Sequence, residues 1–230
     1  MKTSIISKIN KFKDYLRFDK FRDDRLEIYK LIKNDSITLD YGSGYFYQSI
    51  PNLYMSGLRD TVFRTEIMKL NEIKPNKAIL DIGCNTGSMI LFKLFNHNAD
   101  GLDYNAACIN VAKYIKRKFN FQKCNFINDD FNNYIFRKKY DVVLSLASHH
   151  TYDGGITNSE KYFEKIKSIL NSNGEIYLES HHPQIETKIK FYSLYENYLK
   201  NDFKIIREIS YKCNNFLDNG RYFIHLKSYK

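Results

Sequence analysis

Residues 78–90 read AILDIGCNTGSMI: an apolar run ending in Asp81, then Gly83 and Gly87 with three residues between them. Glycines at such a turn let the backbone come close to a ligand, which suits an anionic or nucleotide-like group. A triphosphate loop needs G-x-x-x-x-G-K-[ST]. Here Ser88 and Met89 follow Gly87, so no lysine reaches a phosphate. The dinucleotide fingerprint G-x-G-x-x-G is weakened too, because Cys84 and Asn85 follow Gly83 where a middle glycine belongs. Farther along, Asp103 closes the apolar run of GLDYN. Paired histidines stand in SLASHHTYDG (His149, His150) and LESHHP (His181, His182). Histidine, with an ordinary pKa of about 6.5, accepts a proton readily near neutral pH. Zinc or iron would need several such ligands turned inward together, and no metal is expected.

These residues fall at the ends of regular elements. From residue 77 the order is strand KAILDI, helix from Ser88, strand ADGLDY, helix 106–119 and strand NFIND. Strand YDVVLSLA, helix 160–170, turn NSNG, strand EIYLES and helix 185–199 follow. Alternating strands and helices predict an α/β fold with a parallel sheet covered on both faces. FKIIREISYK and RYFIHLKSYK, separated by a segment holding Asp218-Asn219-Gly220, predict a closing antiparallel pair. The carboxyl-end edge of such a sheet is where ligands bind, and Asp81, Asp103, His149, Glu179 and His181 all belong to it.

Ahead of this core, residues 1–35 place Ile5, Ile9, Phe12, Leu16, Phe21, Leu26, Tyr29 and Leu31 at helical spacing, predicting one or two amphipathic helices that cover a core rather than lie on a membrane. DYGSGYFYQSIPNLYMSG reads as a loop or short hairpin, and residues 57–73 as a helix leading into the first strand.

The chain of 230 residues suits one sizeable domain, and its 43% hydrophobic content argues against disorder. Its four cysteines form no C-x-x-C pair, as expected of reduced thiols. No stretch of about 18 apolar residues and no signal-peptide pattern is present, so a cytoplasmic protein without a membrane span is expected. The net charge of +10 draws attention to polyanions, but the basic residues are spread along the chain without an Arg-rich tract.

Asp81, Gly83 and Gly87 at the end of a first strand, an acid ending a second strand and a C-terminal hairpin together resemble class I S-adenosylmethionine-dependent methyltransferases. The resemblance implies a Rossmann-like, seven-stranded, mostly parallel sheet with an antiparallel C-terminal hairpin and helices on both faces. It divides the chain into an N-terminal helical and aromatic cap (1–56) and a methyltransferase domain (57–230). It implies S-adenosylmethionine as cofactor, with Asp81 accepting from its amino group and Asp103 taking both ribose hydroxyls. Cys84, Asn85, Tyr104 and Leu146 are assigned to the same pocket, with Asp130 and Phe131 near the adenine; Asp129 competes with Asp130 for that place.

FYQSIPNLYMSGLRDTVFRTEIM, ahead of the glycine loop, looks like a branch that includes methyltransferases of bacterial surface polysaccharides, O-antigen and capsule among them. That branch implies that Tyr47, Gln48, Arg59 and Arg64 close over the cofactor, an arginine pairing its carboxylate. SLASHHTYDG lacks the D/N-P-P-Y/F and Pro-Cys elements of base-methylating enzymes. The reading is therefore O-methylation of a sugar hydroxyl, or a phosphate, on a glycan or small metabolite. His149 or His150 is the expected base, and His181 is a further catalytic candidate on the same rim. Because only residues 1–56 precede the domain and the sequence ends with its last strand, a small acceptor is favoured. An RNA or tRNA methyltransferase, supported by the charge, and a non-catalytic subunit keeping the fold are the rivals.

Overall fold

The structure, a computed structural model, describes residues 2–33, 46–149, 158–212 and 220–229. Seven strands form one sheet: β1 Ala78–Ile82, β2 Asn98–Asp103, β3 Cys124–Asn128, β4 Tyr140–Leu146, β5 Leu170–Glu179, β6 Phe203–Tyr211 and β7 Arg221–Ser228. Their order is β3-β2-β1-β4-β5-β7-β6; the first five run parallel, and β7 lies antiparallel to both β5 and β6. The expected Rossmann-like sheet with its C-terminal hairpin is present. Of the predicted turn, Gly220 is described, with φ +96°; Asp218 and Asn219 lie outside the described residues.

The central strands are apolar nearly throughout because both faces are covered. Successive side chains alternate between two cores. Ile79, Val142, Leu144 and Tyr177 face one, with α4 Ala106–Lys118 and Ile28 of α2 Arg22–Lys33. Leu80, Val143, Ile176 and Leu178 face the other, with α5 Ser159–Ile169 and Phe191 of α6 Lys188–Tyr198.

Four local expectations need correction. The helix expected over 57–73 is α3 Thr61–Ile67 followed by a 3₁₀ turn, Leu70–Glu72. Leu58 and Arg59 donate their backbone N–H groups to Phe46 and Tyr47, in strand-like pairing, and Asp60 caps α3 by accepting from Phe63 N. The helix expected over 185–199 begins after Thr187, its N-cap, leaving Glu186 outside it. NSNG is a bulge inside β5: pairing passes from Tyr140–Leu170 to Val142–Glu175. Finally, α1 Lys2–Leu16 does not cover the core with its apolar stripe, since Ile5, Ile9, Phe12 and Leu16 are exposed.

Tyr47, Gln48, Arg59 and Arg64 are positioned before the sheet begins; Gln48 is buried and bridged to Arg59, and the two arginines reach the last parallel strand. Both nitrogens of the Arg59 fork donate to Glu179 at the end of β5, at 3.0 and 2.9 Å, and Arg64 Nη2 donates to the same carboxylate at 2.5 Å. The Tyr211 hydroxyl also donates to it. Burial alone would raise the Glu179 carboxyl, but Arg59 and Arg64, helped by Arg221, bring it down to about 2. A carboxyl lowered this way adds stability above its unfolded pKa, near 4.3, which is lost as pH falls toward 2. Glu179→Gln is therefore expected to cost about 3 kcal/mol at pH 7, because two buried guanidinium groups lose their counter-charge. The melting temperature of the variant should also lose much of its fall between pH 4.5 and pH 2.

Candidate active site

The glycine loop turns left-handed three times, at Gly83 (φ +67°), Asn85 (φ +53°) and Gly87 (φ +69°). A side chain on Gly83 would meet Ser148 Cβ at 2.9 Å, and one on Gly87 would meet the Phe126 ring at 2.4 Å. Gly83 and Cys84 donate their N–H groups to Leu102 O, Gly87 donates to Cys84 O, and Asn85 N donates to Asp103 Oδ2 at 2.7 Å. With these amides engaged inside the protein, the loop is no phosphate cradle. It is a shaped wall, and Asp103 ties it to the end of β2. The other oxygen of Asp103 accepts from Asn105 N at 2.9 Å, which starts α4.

Behind this wall the polar atoms are incompletely matched. Arg64 Nη1, Gln48 Oε1 and both side-chain polar atoms of Asn85 are buried without a hydrogen-bond partner among the described residues. Asp81 is buried, and desolvation raises its carboxyl to about 7, against the pull of Arg64 and with the help of Asp103. Burial also raises Asp103 to about 6, its two backbone hydrogen bonds opposing. A spare donor on Arg64, whose other nitrogens bond Glu179, and an uncomfortable carboxylate near it suit the carboxylate and ammonium of an amino-acid end. That is what S-adenosylmethionine would bring, so the residues fit the cofactor that the sequence resemblance implies.

A carboxyl raised on folding penalises the folded state as pH climbs from its unfolded value, about 3.9, to its folded one. In cofactor-free protein, Asp81 is thus expected to cost up to roughly 4 kcal/mol of stability between pH 4 and pH 8. Asp81→Asn should flatten that decline in thermal melts, raise the melting temperature at pH 8 and weaken cofactor binding. A variant with the native pH slope would place the strain elsewhere.

Beyond β4 the backbone turns sharply at Ala147, whose φ of +63° is unusual for a residue with a side chain. The turn lays Ser148 against Gly83 and buries His149. Both oxygens of Glu186 lie 3.0 Å from His149 Nε2, and one also accepts from His181 N at 2.8 Å. The two imidazoles meet edge-on, with centroids 5.6 Å apart. A carboxylate on Nε2 makes that nitrogen the proton carrier, so a neutral His149 has its lone pair on Nδ1. Among the described residues no three His, Cys, Asp or Glu side chains converge as metal ligands would.

The remaining predicted residues are less uniform. Tyr47 is half-buried near Arg59, Arg221, Arg64 and Glu179; burial would raise its phenol, but the three arginines together lower it. Tyr104 is exposed, and its carbonyl accepts from Asn128 Nδ2. Leu146 is buried in the first core. Asp130 caps a turn, accepting from Asn132 N at 2.6 Å, while Asp129 accepts from Asp130 N. Phe131 packs into the second core, 5.0 Å from Tyr162. His150 lies outside the described residues. Sequence reasoning missed Glu186 and Arg221. Thr187, a good N-cap ahead of Lys190 N, is the signal that α6 starts late and leaves Glu186 beside the histidines.

A family model described as a methyltransferase domain matches residues 73–216. Malonyl-[acyl-carrier protein] O-methyltransferases 1 and 2 of Ilyobacter polytropus are 33% and 38% identical to the chain over 106 and 102 residues, 45% and 43% of its length. The matched stretch spans 37% of each of those relatives. Among solved structures, the N-methyltransferase NodS of Bradyrhizobium japonicum in complex with S-adenosyl-l-homocysteine aligns with a TM-score of 0.57 at 11% identity, covering 94% of this chain and 91% of its own. TrmN of Thermus thermophilus aligns with a TM-score of 0.58 at 14% identity, over 73% of this chain and 48% of its own. At those identities the likeness is one of fold.

Proposed function

The chain belongs to the methyltransferase-domain family, and from that premise we propose that it is an S-adenosylmethionine-dependent O-methyltransferase acting on a hydroxyl of a glycan or small metabolite. The cofactor supplies an activated methyl group on a sulfonium, with a good leaving group built in. The chain's own residues supply the rest. Asp81 and Arg64 hold the two charges of the amino-acid end, Asp103 takes the ribose hydroxyls, and the loop whose turns at Gly83 and Gly87 pack on Ser148 and Phe126 forms the wall beside them.

The observation that carries the acceptor side is His149, buried at the mouth of β4 and fixed by Glu186 through Nε2. A hydroxyl must lose its proton as it attacks, and an oriented neutral imidazole receives it on Nδ1, with the adjacent Glu186 carboxylate stabilising the resulting cation. A phosphate or carboxylate acceptor is already anionic and needs no such base. The surface-polysaccharide branch suggested by Tyr47, Gln48 and the arginines makes a sugar hydroxyl the first acceptor class to examine.

A second reading has its own support. The relatives matched in sequence are named for methylating a malonyl group on a carrier protein, a carboxylate chemistry, and Arg221 brings a third arginine near Arg59 and Arg64. Release of S-adenosylhomocysteine in the presence of oligosaccharides, nucleotide sugars, malonyl thioesters and tRNA separates these readings. Turnover on the hydroxyl acceptors is expected. Turnover confined to malonyl thioesters would transfer the chain to the second reading, and turnover confined to tRNA to the nucleic-acid one.

A further inference from the structure

Helix α1 is mounted with its polar side inward. Asn10 Nδ2 donates to Gly57 O at 3.2 Å, the Asp14 carboxylate accepts from both the backbone and the hydroxyl of Ser56, and Arg17 Nη1 donates to Tyr54 O at 3.2 Å. Residues 10, 14 and 17 share one stripe of a helix, so this edge is what holds α1 to the protein. The opposite stripe is Ile5, Ile9, Phe12 and Leu16, which are 53%, 47%, 64% and 47% exposed. Phe18, just past the helix end, is 77% exposed. At about 100° per residue, Lys8 borders this stripe on one side and Lys13 on the other, both exposed, with exposed Lys11 and Lys20 nearby. The one carboxylate in the α1 sequence, Asp14, is turned inward and buried.

We infer that α1 is a docking surface for an anionic lipid bilayer, lying in the headgroup plane with Ile5, Ile9, Phe12 and Leu16 immersed and the lysines on lipid phosphates. An apolar stripe edged by lysines without outward carboxylates is the pattern of an interfacial helix, and the chain's net charge of +10 adds attraction to the same surface. No helix among the described residues is long and apolar enough to cross a membrane, so the attachment is to one leaflet. Because α1 is pinned to residues 54–57, two residues before Arg59, docking would bring the candidate active site to the bilayer, whatever the acceptor.

The test is co-sedimentation of the full chain with vesicles of equal phosphatidylglycerol and phosphatidylcholine, against vesicles of phosphatidylcholine alone. Binding to the anionic vesicles, weakening as salt rises, is expected. Ile9→Ser with Phe12→Ser should weaken it at least about 10-fold. Lys8→Ala with Lys13→Ala should weaken it roughly 30-fold on anionic vesicles only. All four positions are exposed, so melting temperatures should match the native chain's. Equal binding to both vesicle types, or variants that bind like native, would overturn the inference. So would a lipid-free dimer, seen by sedimentation velocity, that Ile9→Ser with Phe12→Ser converts to monomer.

Discussion

His149→Ala is expected to slow turnover on a hydroxyl acceptor by about 10² or more while leaving S-adenosylmethionine affinity unchanged. Among the described residues the imidazole is held by the Glu186 carboxylate, whereas the glycine loop is tied to Asp103 through Asn85 N. Its removal should therefore appear in kcat rather than in cofactor binding. Glu186→Gln is the companion: it keeps the volume and one hydrogen bond to Nε2 but withdraws the charge that stabilises a protonated ring. A smaller loss of kcat is expected. If both His149→Ala and His150→Ala turn over like native protein, the base lies elsewhere, and carboxylate chemistry gains accordingly.

Asp103→Ala is expected to remove detectable S-adenosylmethionine binding in calorimetry while circular dichroism stays native. Two backbone N–H groups, of Asn85 and Asn105, lose their acceptor, at about 1–3 kcal/mol each. Against that, burial lifts the carboxyl from 3.8 to about 6, so its charge penalises the folded protein by roughly 3 kcal/mol at neutral pH. The two effects oppose one another, and the fold should survive. The proposed ribose site should not, because the variant loses both the acceptor and the tie between the loop and the end of β2. Unchanged affinity would mean that Asp103 is only a strand-end cap.

The parts of this molecule visible in its sequence are those set by local chemistry. Strand–helix alternation, the D-x-G-x-x-x-G loop and the acid closing β2 each follow from periodicity or backbone sterics within a few residues, and the structure keeps them in place. Side-chain partners across long separations were not visible. Glu179 lies 120 residues from Arg59 and 115 from Arg64, and nothing near LESHHP signals that its carboxylate gathers two guanidinium groups. Glu186 was hidden differently: reading the helix from Ile185 put its carboxylate on a helical surface, whereas the Thr187 cap leaves it free to reach His149. On α1 the hydrophobic stripe was legible and its direction was not. Direction is set by Asn10, Asp14 and Arg17, whose partners lie in residues 54–57.

The glycine loop bears most on which ligand the protein takes, since the N–H groups of Gly83, Cys84, Asn85 and Gly87 are engaged internally and do not cradle a phosphate. Titrating the native protein in a calorimeter with S-adenosylmethionine, NAD and ATP in separate runs tests this most directly. Saturable binding of S-adenosylmethionine at one site, reduced in Asp81→Asn and absent in Asp103→Ala, is the expected result, with no heat from the two phosphate-bearing ligands. Saturable binding of NAD or ATP, with none for S-adenosylmethionine, would contradict it.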